Sequence, residues 1–160
     1  MLCESTEKTN ETSQFCMLDG NKYTVALQRE GSRPFRISAD IGERTPIPWT
    51  ASGRLLLGSL SDQEIFDLVP PENFVMPDGH RLDTETYLAQ IRRAQLERVF
   101  SFDSIVDTST HCFAPPVYDR KGTCIAPVCI VAPKADAVEN YDNYRTTLIE
   151  AGLKLSQFVP

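Results

Sequence analysis

The chain has few of the features that mark a membrane, secreted or nucleic-acid-binding protein. No apolar run among its 160 residues approaches the roughly 20 needed to cross a bilayer, and no secretory signal pattern opens it. Lysine and arginine number 16 against 22 acidic residues, so the net charge of −6 has the wrong sign for neutralising phosphates. We expect one cytoplasmic domain that contacts no membrane and binds no DNA through these residues.

Cysteine usage excludes a disulfide framework. The five cysteines are an odd number, they contain no C-x-x-C pair, and only two histidines accompany them. No ligand spacing typical of zinc is present, so we expect no metal site and no cofactor. The thiols are expected to be reduced and mostly buried. They are Cys3, Cys16, Cys112, Cys124 and Cys129.

The hydrophobic pattern predicts an α+β fold. Alternating apolar residues and turn sequences predict about six strands, at Gln14–Leu18, Lys22–Arg29, Phe35–Ser38, Val99–Asp103, His111–Tyr118 and Thr123–Val131. Helices are predicted within residues 1–13, from Ser52 to about Gly58, after Ser61, from Asp83 or Thr84 to about Arg98, and over 141–158. Because hairpins join several strands, we expect an antiparallel sheet with helices on its faces.

The stretch Pro46–Arg54 (PIPWTASGR) is the most informative segment. A proline-bounded loop leads into an apolar helix, with Ser52 as the expected cap. The free backbone N–H groups at such a helix start, with the hydroxyls of Thr50 and Ser52 beside them, suit a small anion. The alternative is an ordinary capped helix start that binds nothing.

Small side chains on two predicted strands suggest a space above the sheet. Cys112 lies on one strand, and Cys129 and Val131 share a face of the next. A space covered by the Ser52 helix start would be a pocket, although closely packed helices would explain the same pattern. Asp103 ends another strand, where it either accepts a hydrogen bond from a ligand or is simply solvated.

The neighbours His111 and Cys112 raise the alternative of a cysteine-dependent enzyme acting on small organic acids. Adjacent residues on a strand point to opposite faces, so His111 cannot activate Cys112 if both belong to one strand. His80 lies in a loop without an evident orienting partner. A buried or pocket-lining thiol is the simpler interpretation of Cys112.

Several motifs together resemble the effector-binding domain of the isocitrate-lyase-regulator (IclR) family. The resemblance covers nearly all of the chain in the right order. The matching motifs are Asp19-Gly20, Asp40–Arg44, Pro46-x-x-x-Thr50-Ala51-Ser52-Gly53-Arg54-x-Leu56-Leu57, Leu60–Glu64, Cys112-x-Ala114-x-Pro116-Val117-Tyr118-Asp119-x-x-Gly122 and Ile130–Pro133.

This resemblance implies a GAF-like α+β domain, spanning residues 1–160, that senses a small metabolite and is not an enzyme. Relatives are cytoplasmic bacterial transcription regulators that act as homodimers or homotetramers. They bind DNA through an N-terminal winged helix-turn-helix domain, which we expect to be absent from this chain. The expected partners are therefore a small organic-acid effector and further copies of the same chain.

The resemblance also assigns residues to the effector site. The backbone N–H groups of the small-residue loop would hold a carboxylate, and two positions that are serines in relatives binding small keto acids carry larger or less polar groups here. We therefore expect a more apolar effector, such as an aromatic or medium-chain carboxylate, and a tryptophan that fills the pocket or stacks on the ligand. The assigned residues are Ile37, Trp49, Ala51, Ser52, Asp103, Cys112, Cys129 and Val131.

Overall fold

Six strands form one antiparallel sheet in the computed structural model, which describes residues 2–34, 36–37 and 39–160. The sheet order is β3-β2-β1-β6-β5-β4, so strands from the two ends of the sequence meet at its centre. The predicted α+β class and the number of strands are confirmed. The strands are β1 (Ser13–Asp19), β2 (Lys22–Arg29), β3 (Arg44–Pro46), β4 (Phe100–Asp103), β5 (Thr110–Ala114) and β6 (Val128–Pro133).

Helices cover both faces of this sheet. One face packs against α2, α3 and α4, and the other against α1, α5 and α6. No helix in the described part of the chain is long and apolar enough to cross a membrane. The helices are α1 (Leu2–Thr9), α2 (Ala51–Leu56), α3 (Asp62–Leu68), α4 (Thr84–Leu96), α5 (Lys134–Glu139) and α6 (Tyr141–Ser156), with short 3₁₀ segments at Ile47–Trp49 and Pro71–Phe74.

The first hairpin forms where the turn residues predict it. Asp19 pairs with Lys22, and Gly20 adopts the positive φ of +60° that the tight turn requires. The third strand was predicted in the wrong place, at Phe35–Ser38. Phe35 and Ser38 lie outside the described residues, and the residues between them have no regular structure. The third strand is β3 instead.

Helix caps follow the sequence at two of three sites. Ser61 forms a full capping box with Glu64, and Asp83 caps α4. The expectation that Ser52 caps α2 is wrong, because Thr50 has the extended backbone of a cap and its Oγ1 accepts from the Gly53 N–H at 3.0 Å. Ser52 already lies inside the helix, so its hydroxyl is directed elsewhere.

Prolines shorten the two strands nearest the C-terminus. The predicted strand His111–Tyr118 ends at Ala114, since Pro115 and Pro116 follow and have no N–H to donate. The strand predicted over Thr123–Val131 begins only at Val128, and the hairpin between them keeps a single bridge, Tyr118 to Cys124. The terminal helix predicted over 141–158 is confirmed as α6, and a short helix that was not predicted, α5, precedes it and ends before Asn140.

Candidate functional site

A cavity of about 300 Å³ lies between the sheet and the start of α2. This volume is at the lower end of the range for small-molecule sites. It brings together seven of the eight residues assigned from the sequence. These are Ile37, Trp49, Ala51, Ser52, Cys112, Cys129 and Val131.

The floor of the cavity is made of neighbouring strands. Cys112 on β5 pairs with Val131 on β6, and Cys129 on β6 pairs with Gln14 on β1. The side chain of Val25 on β2 extends the apolar wall. Because strand residues two apart face the same side, the small side chains at 129 and 131 leave room above the sheet.

The wall opposite the floor is the loop that enters α2. Thr50, Ala51 and Ser52 line the cavity, and the Thr50 side chain already satisfies the Gly53 N–H. The N–H groups of Ala51 and Ser52 belong to the first turn, where no intrahelical acceptor exists. Since α2 has only six residues, its dipole is small and these two donors are its main contribution to the site.

Trp49 forms part of the wall without filling the cavity. Its indole Nε1 donates to the Val75 carbonyl oxygen at 3.1 Å, which fixes the ring against the 3₁₀ segment that follows α3. The space beside it remains open at about 300 Å³. Of the two roles suggested by the sequence, contact with a ligand is therefore compatible with the structure, and filling of the pocket is not.

The structure does not place Asp103 in the cavity. Its neighbour Phe102 lines the space, so Asp103 faces the other side of the strand, where His111 Nδ1 lies at 2.7 Å and Lys134 Nζ at 3.1 Å. Hydrogen bonds from His111 and Lys134 lower the pKa of Asp103. The acidic residue that reaches the cavity from this region is Asp107.

Acidic side chains at the cavity rim were not identified from the sequence. Asp40, Glu43 and Asp107 line the cavity at exposed positions. Asp107 also borders an open surface groove, which places the mouth of the cavity on this side. Among the residues that the structure describes, no lysine, arginine or histidine lines the cavity. The rim is therefore negative while the deep end is mostly apolar.

Arg54 is a buried cation behind the cavity wall. Its guanidinium stacks between the rings of Tyr87 and Phe102, at 4.7 and 4.6 Å, and Phe102 lines the cavity on its other side. Burial lowers the pKa of Arg54 to about 10, so it stays charged at neutral pH. Carbonyl oxygens of Pro48 and Thr50 accept from Nη1, but no described carboxylate pairs with it. Sequence patterning alone could not find this burial.

The cysteine-enzyme alternative lacks its base in this geometry. His111 and Cys112 share β5 and face opposite sides, as the alternation predicts, and the His111 ring contacts Asp103 and Phe113 instead. Burial raises the pKa of Cys112 to about 12, which keeps its thiol protonated. In the described ranges, no group of three or more histidine, cysteine, aspartate or glutamate residues is placed to hold a metal ion.

A GAF-like domain is the class that this sheet and its enclosed cavity define. The chain belongs to a family described as bacterial transcriptional regulator IclR C-terminal, whose model matches residues 1–157. The transcriptional regulator XynR of Escherichia coli K12 is 26% identical over 159 residues, covering 98% of this chain and 63% of that protein. The transcriptional repressor AllR of Salmonella typhi is 27% identical over 139 residues, covering 82% of this chain and 49% of that protein.

Solved structures confirm the fold. The C-terminal domain of the Escherichia coli transcriptional regulator KdgR has a TM-score of 0.78 at 23% identity, covering 98% of this chain and 92% of that one. The effector domain of an IclR transcriptional regulator from Acinetobacter sp. ADP1 has a TM-score of 0.84 at 17% identity, covering 98% and 91%. The chain therefore spans about half of AllR and nearly two thirds of XynR, but almost all of these isolated domains.

The family membership decides between the two function classes. The named relatives are transcriptional regulators, so the expectation that this domain is not an enzyme is confirmed. The chain is a C-terminal domain of the IclR type of transcriptional regulator.

Proposed function

We propose that the cavity is the effector site of a ligand-sensing regulator, and that residues 1–160 form an effector-binding and oligomerisation domain. DNA would be bound by a winged helix-turn-helix outside these residues. The single observation that carries the proposal is the enclosed cavity of about 300 Å³, which gathers seven independently assigned residues. The length of XynR and AllR beyond the matched region supports a separate DNA-binding part.

The proposed effector carries one carboxylate at its inner end. The N–H groups of Ala51 and Ser52 supply two donors there, and the unpaired positive charge of Arg54 lies one aromatic ring behind the wall. A charge in a low-dielectric interior acts over longer distances than at the surface. The deep end of the cavity therefore favours an anion even though none of the described residues that line it is basic.

The remainder of the effector is apolar and ends without a second negative charge. Val25, Phe102, Cys112, Cys129 and Val131 offer mostly carbon and sulfur surface. At the mouth, the three rim carboxylates of Asp40, Glu43 and Asp107 would repel an outer anionic group. We therefore propose a medium-chain or aromatic monocarboxylate in preference to a dicarboxylate.

A ligand in the cavity could signal because the cavity is lined by several different elements of the fold. The floor belongs to strands from both halves of the chain, and α2 and the Asp40–Thr45 segment close it. A ligand that contacts all of these elements favours one arrangement of them over another. In a homodimer or homotetramer, this bias would alter the spacing of the attached DNA-binding parts.

The proposal is tested by binding of matched small acids to this domain. Trp49 is the only tryptophan and lines the cavity, so its fluorescence reports occupancy directly. Hexanoate and benzoate are expected to bind, while adipate, which has the length of hexanoate and a second carboxylate, should bind at least ~10-fold more weakly. Pyruvate should also bind weakly. A ligand at ~100 times its Kd adds roughly 2.7 kcal/mol, which a thermal shift detects.

Variants establish where the ligand binds. Ala51→Trp and Val131→Trp place a large ring in the cavity and should abolish the response to hexanoate. Ala89→Trp is the matched control, because Ala89 is exposed on α4 and should leave binding unchanged. Circular dichroism checks that each variant folds. Undiminished binding to both folded cavity variants, or tighter binding of adipate and pyruvate than of hexanoate, would contradict the proposal.

A further inference from the structure

Two thiols are in contact at the inner side of the cavity. Cys16 on β1 and Cys129 on β6 have their sulfur atoms 3.4 Å apart, on strands that are neighbours at the centre of the sheet. The structure brings no other two of the five cysteines, all of them described, into sulfur–sulfur contact. We propose that this pair is an oxidation site, in which Cys129 reacts with a hydroperoxide that enters the cavity and Cys16 then closes an intramolecular disulfide.

Access distinguishes the two thiols. Cys129 lines the cavity, whereas Cys16 lies behind it and does not, and both are otherwise almost fully buried. A molecule as small as hydrogen peroxide can reach Cys129 through a cavity of about 300 Å³. Cys129 is therefore the thiol that meets the oxidant first, and Cys16 is placed to react second.

The surroundings of Cys129 favour the thiolate that this chemistry needs. The neighbouring Cys16 thiol lowers the pKa of Cys129, and the hydroxyls of Ser52 and Tyr23 act in the same direction, while burial opposes them. Burial raises the pKa of Cys16, which lies behind Cys129 and does not line the cavity. In the resting thiol form, Cys129 donates to Gln14 Oε1 at 3.7 Å, which gives its proton a partner.

The reaction balances with one hydroperoxide. The Cys129 thiolate attacks one oxygen of hydrogen peroxide and the O–O bond breaks. The departing hydroxide takes up the proton that the Cys129 thiol released and leaves as water. Cys129 is now a sulfenic acid. The Cys16 sulfur attacks the Cys129 sulfur and displaces hydroxide, which takes the Cys16 proton as a second water. For this step the sulfur atoms must close from 3.4 Å to about 2.05 Å.

The other cysteines are poorer candidates. Burial raises the pKa of Cys112 to about 12 and that of Cys124 to about 11, and neither has a thiol partner. Cys3 is exposed on α1, far in the fold from the cavity lining. The proposal does not depend on the identity of the effector, because it needs only the cavity and the sulfur contact.

The test treats the reduced domain with one equivalent of hydrogen peroxide and maps the cysteines by mass spectrometry under non-reducing conditions. We expect a Cys16–Cys129 linked peptide, a mass loss of about 2 Da, and oxidation of Cys129 at least ~10-fold faster than that of Cys3. Cys16→Ser should leave a sulfenic acid on Cys129 that dimedone traps. Cys124→Ser is the control, buried elsewhere, and should form the disulfide at the unaltered rate.

Three outcomes would overturn the proposal. The first is the absence of the linked peptide in the folded, unaltered domain. The second is preferential oxidation of Cys3 or Cys112. The third is oxidation of Cys16 at the normal rate in Cys129→Ser, since this would show that Cys129 does not lead the reaction. Circular dichroism of each variant before oxidation separates loss of reactivity from loss of folding.

Discussion

Arg54 shows how one residue can shape a site that it does not touch. Its Nη1 donates to the carbonyl oxygens of Pro48 and Thr50, and its Nε donates to Gln90 Oε1 at 2.8 Å. These bonds hold the turn that leads into α2 in one conformation. Gly53 allows the same turn because it has no side chain: a Cβ there would lie 2.5 Å from the Ile47 carbonyl oxygen. The TASGR motif therefore specifies a backbone path as much as a set of ligands.

At the same scale, the reactivity of Cys112 can be measured against pH. With a pKa of about 12, its thiolate fraction at pH 8 is on the order of 10⁻⁴ and rises about tenfold per pH unit up to the pKa. Alkylation of Cys112 by iodoacetamide at pH 8 is expected to be at least ~100-fold slower than that of exposed Cys3. Peptide mass spectrometry after timed quenching measures both. A Cys112 rate that is already constant between pH 6 and 9 would contradict the assignment.

At the scale of elements, a buried polar cluster joins α6 to the segment that follows β2. Glu11 is 1% exposed, accepts from the Tyr144 hydroxyl at 2.8 Å and pairs with Arg33 Nε at 2.9 Å. Arg33 Nη1 also reaches Asp136 on α5 at 2.9 Å. Burial raises the pKa of Glu11, and the hydrogen bond from Tyr144 opposes this change. The cluster therefore fixes three elements relative to one another.

Removing the Tyr144 hydroxyl should destabilise the fold. Tyr144→Phe leaves Glu11 buried with one donor fewer, so the free energy of unfolding is expected to fall by about 1–3 kcal/mol. Urea denaturation measures the change. Tyr141→Phe is the control, because Tyr141 is 40% exposed and its hydroxyl makes a solvent-exposed hydrogen bond with Ser101. A change within about 0.5 kcal/mol is expected there. Equal effects of the two variants would argue against the cluster's role.

Local chemistry explains which elements the sequence could predict. The Asp19-Gly20 turn and the Ser61 and Asp83 caps depend on residues within a few positions of each other, and all three were predicted. The burial of Arg54 and the Glu11–Tyr144 contact depend on partners 36 and 133 positions away, and no local pattern contains them. For Asp103 the two kinds of sequence information disagree. Strand alternation places its side chain on the opposite face from Phe102, whereas the resemblance to relatives assigned it to the effector site, and the structure agrees with the alternation.

The whole molecule places two helical layers around one sheet and leaves some apolar side chains outside. Leu96 is 87% exposed, Val138 80% and Phe158 74%. Exposed apolar surface of this kind is covered in many proteins by a further copy of the chain. The proposed homodimer or homotetramer would give such side chains a partner.

The oligomeric state is accessible to light scattering. The domain is expected to elute with two or four times its 17.9 kDa mass. Dilution should lower this mass only when the protein concentration approaches the dissociation constant of the oligomer. Size-exclusion chromatography with multi-angle detection measures this directly. A mass of one chain at every concentration up to the millimolar range would contradict oligomerisation by this domain while leaving the effector site untouched.

The central pairing of β1 with β6 has a consequence for how the protein is made. Ser13 pairs with Ile130, so the middle of the sheet joins residues that are 117 positions apart in the sequence. Contacts this distant are slow to form, because a long stretch of chain must be ordered or looped first. The β1–β2 hairpin can form early during synthesis, but the free edge of β1 waits for β6, which the ribosome delivers more than a hundred residues later. During that interval, the edge that later lies beneath the cavity is open to pairing with another nascent chain.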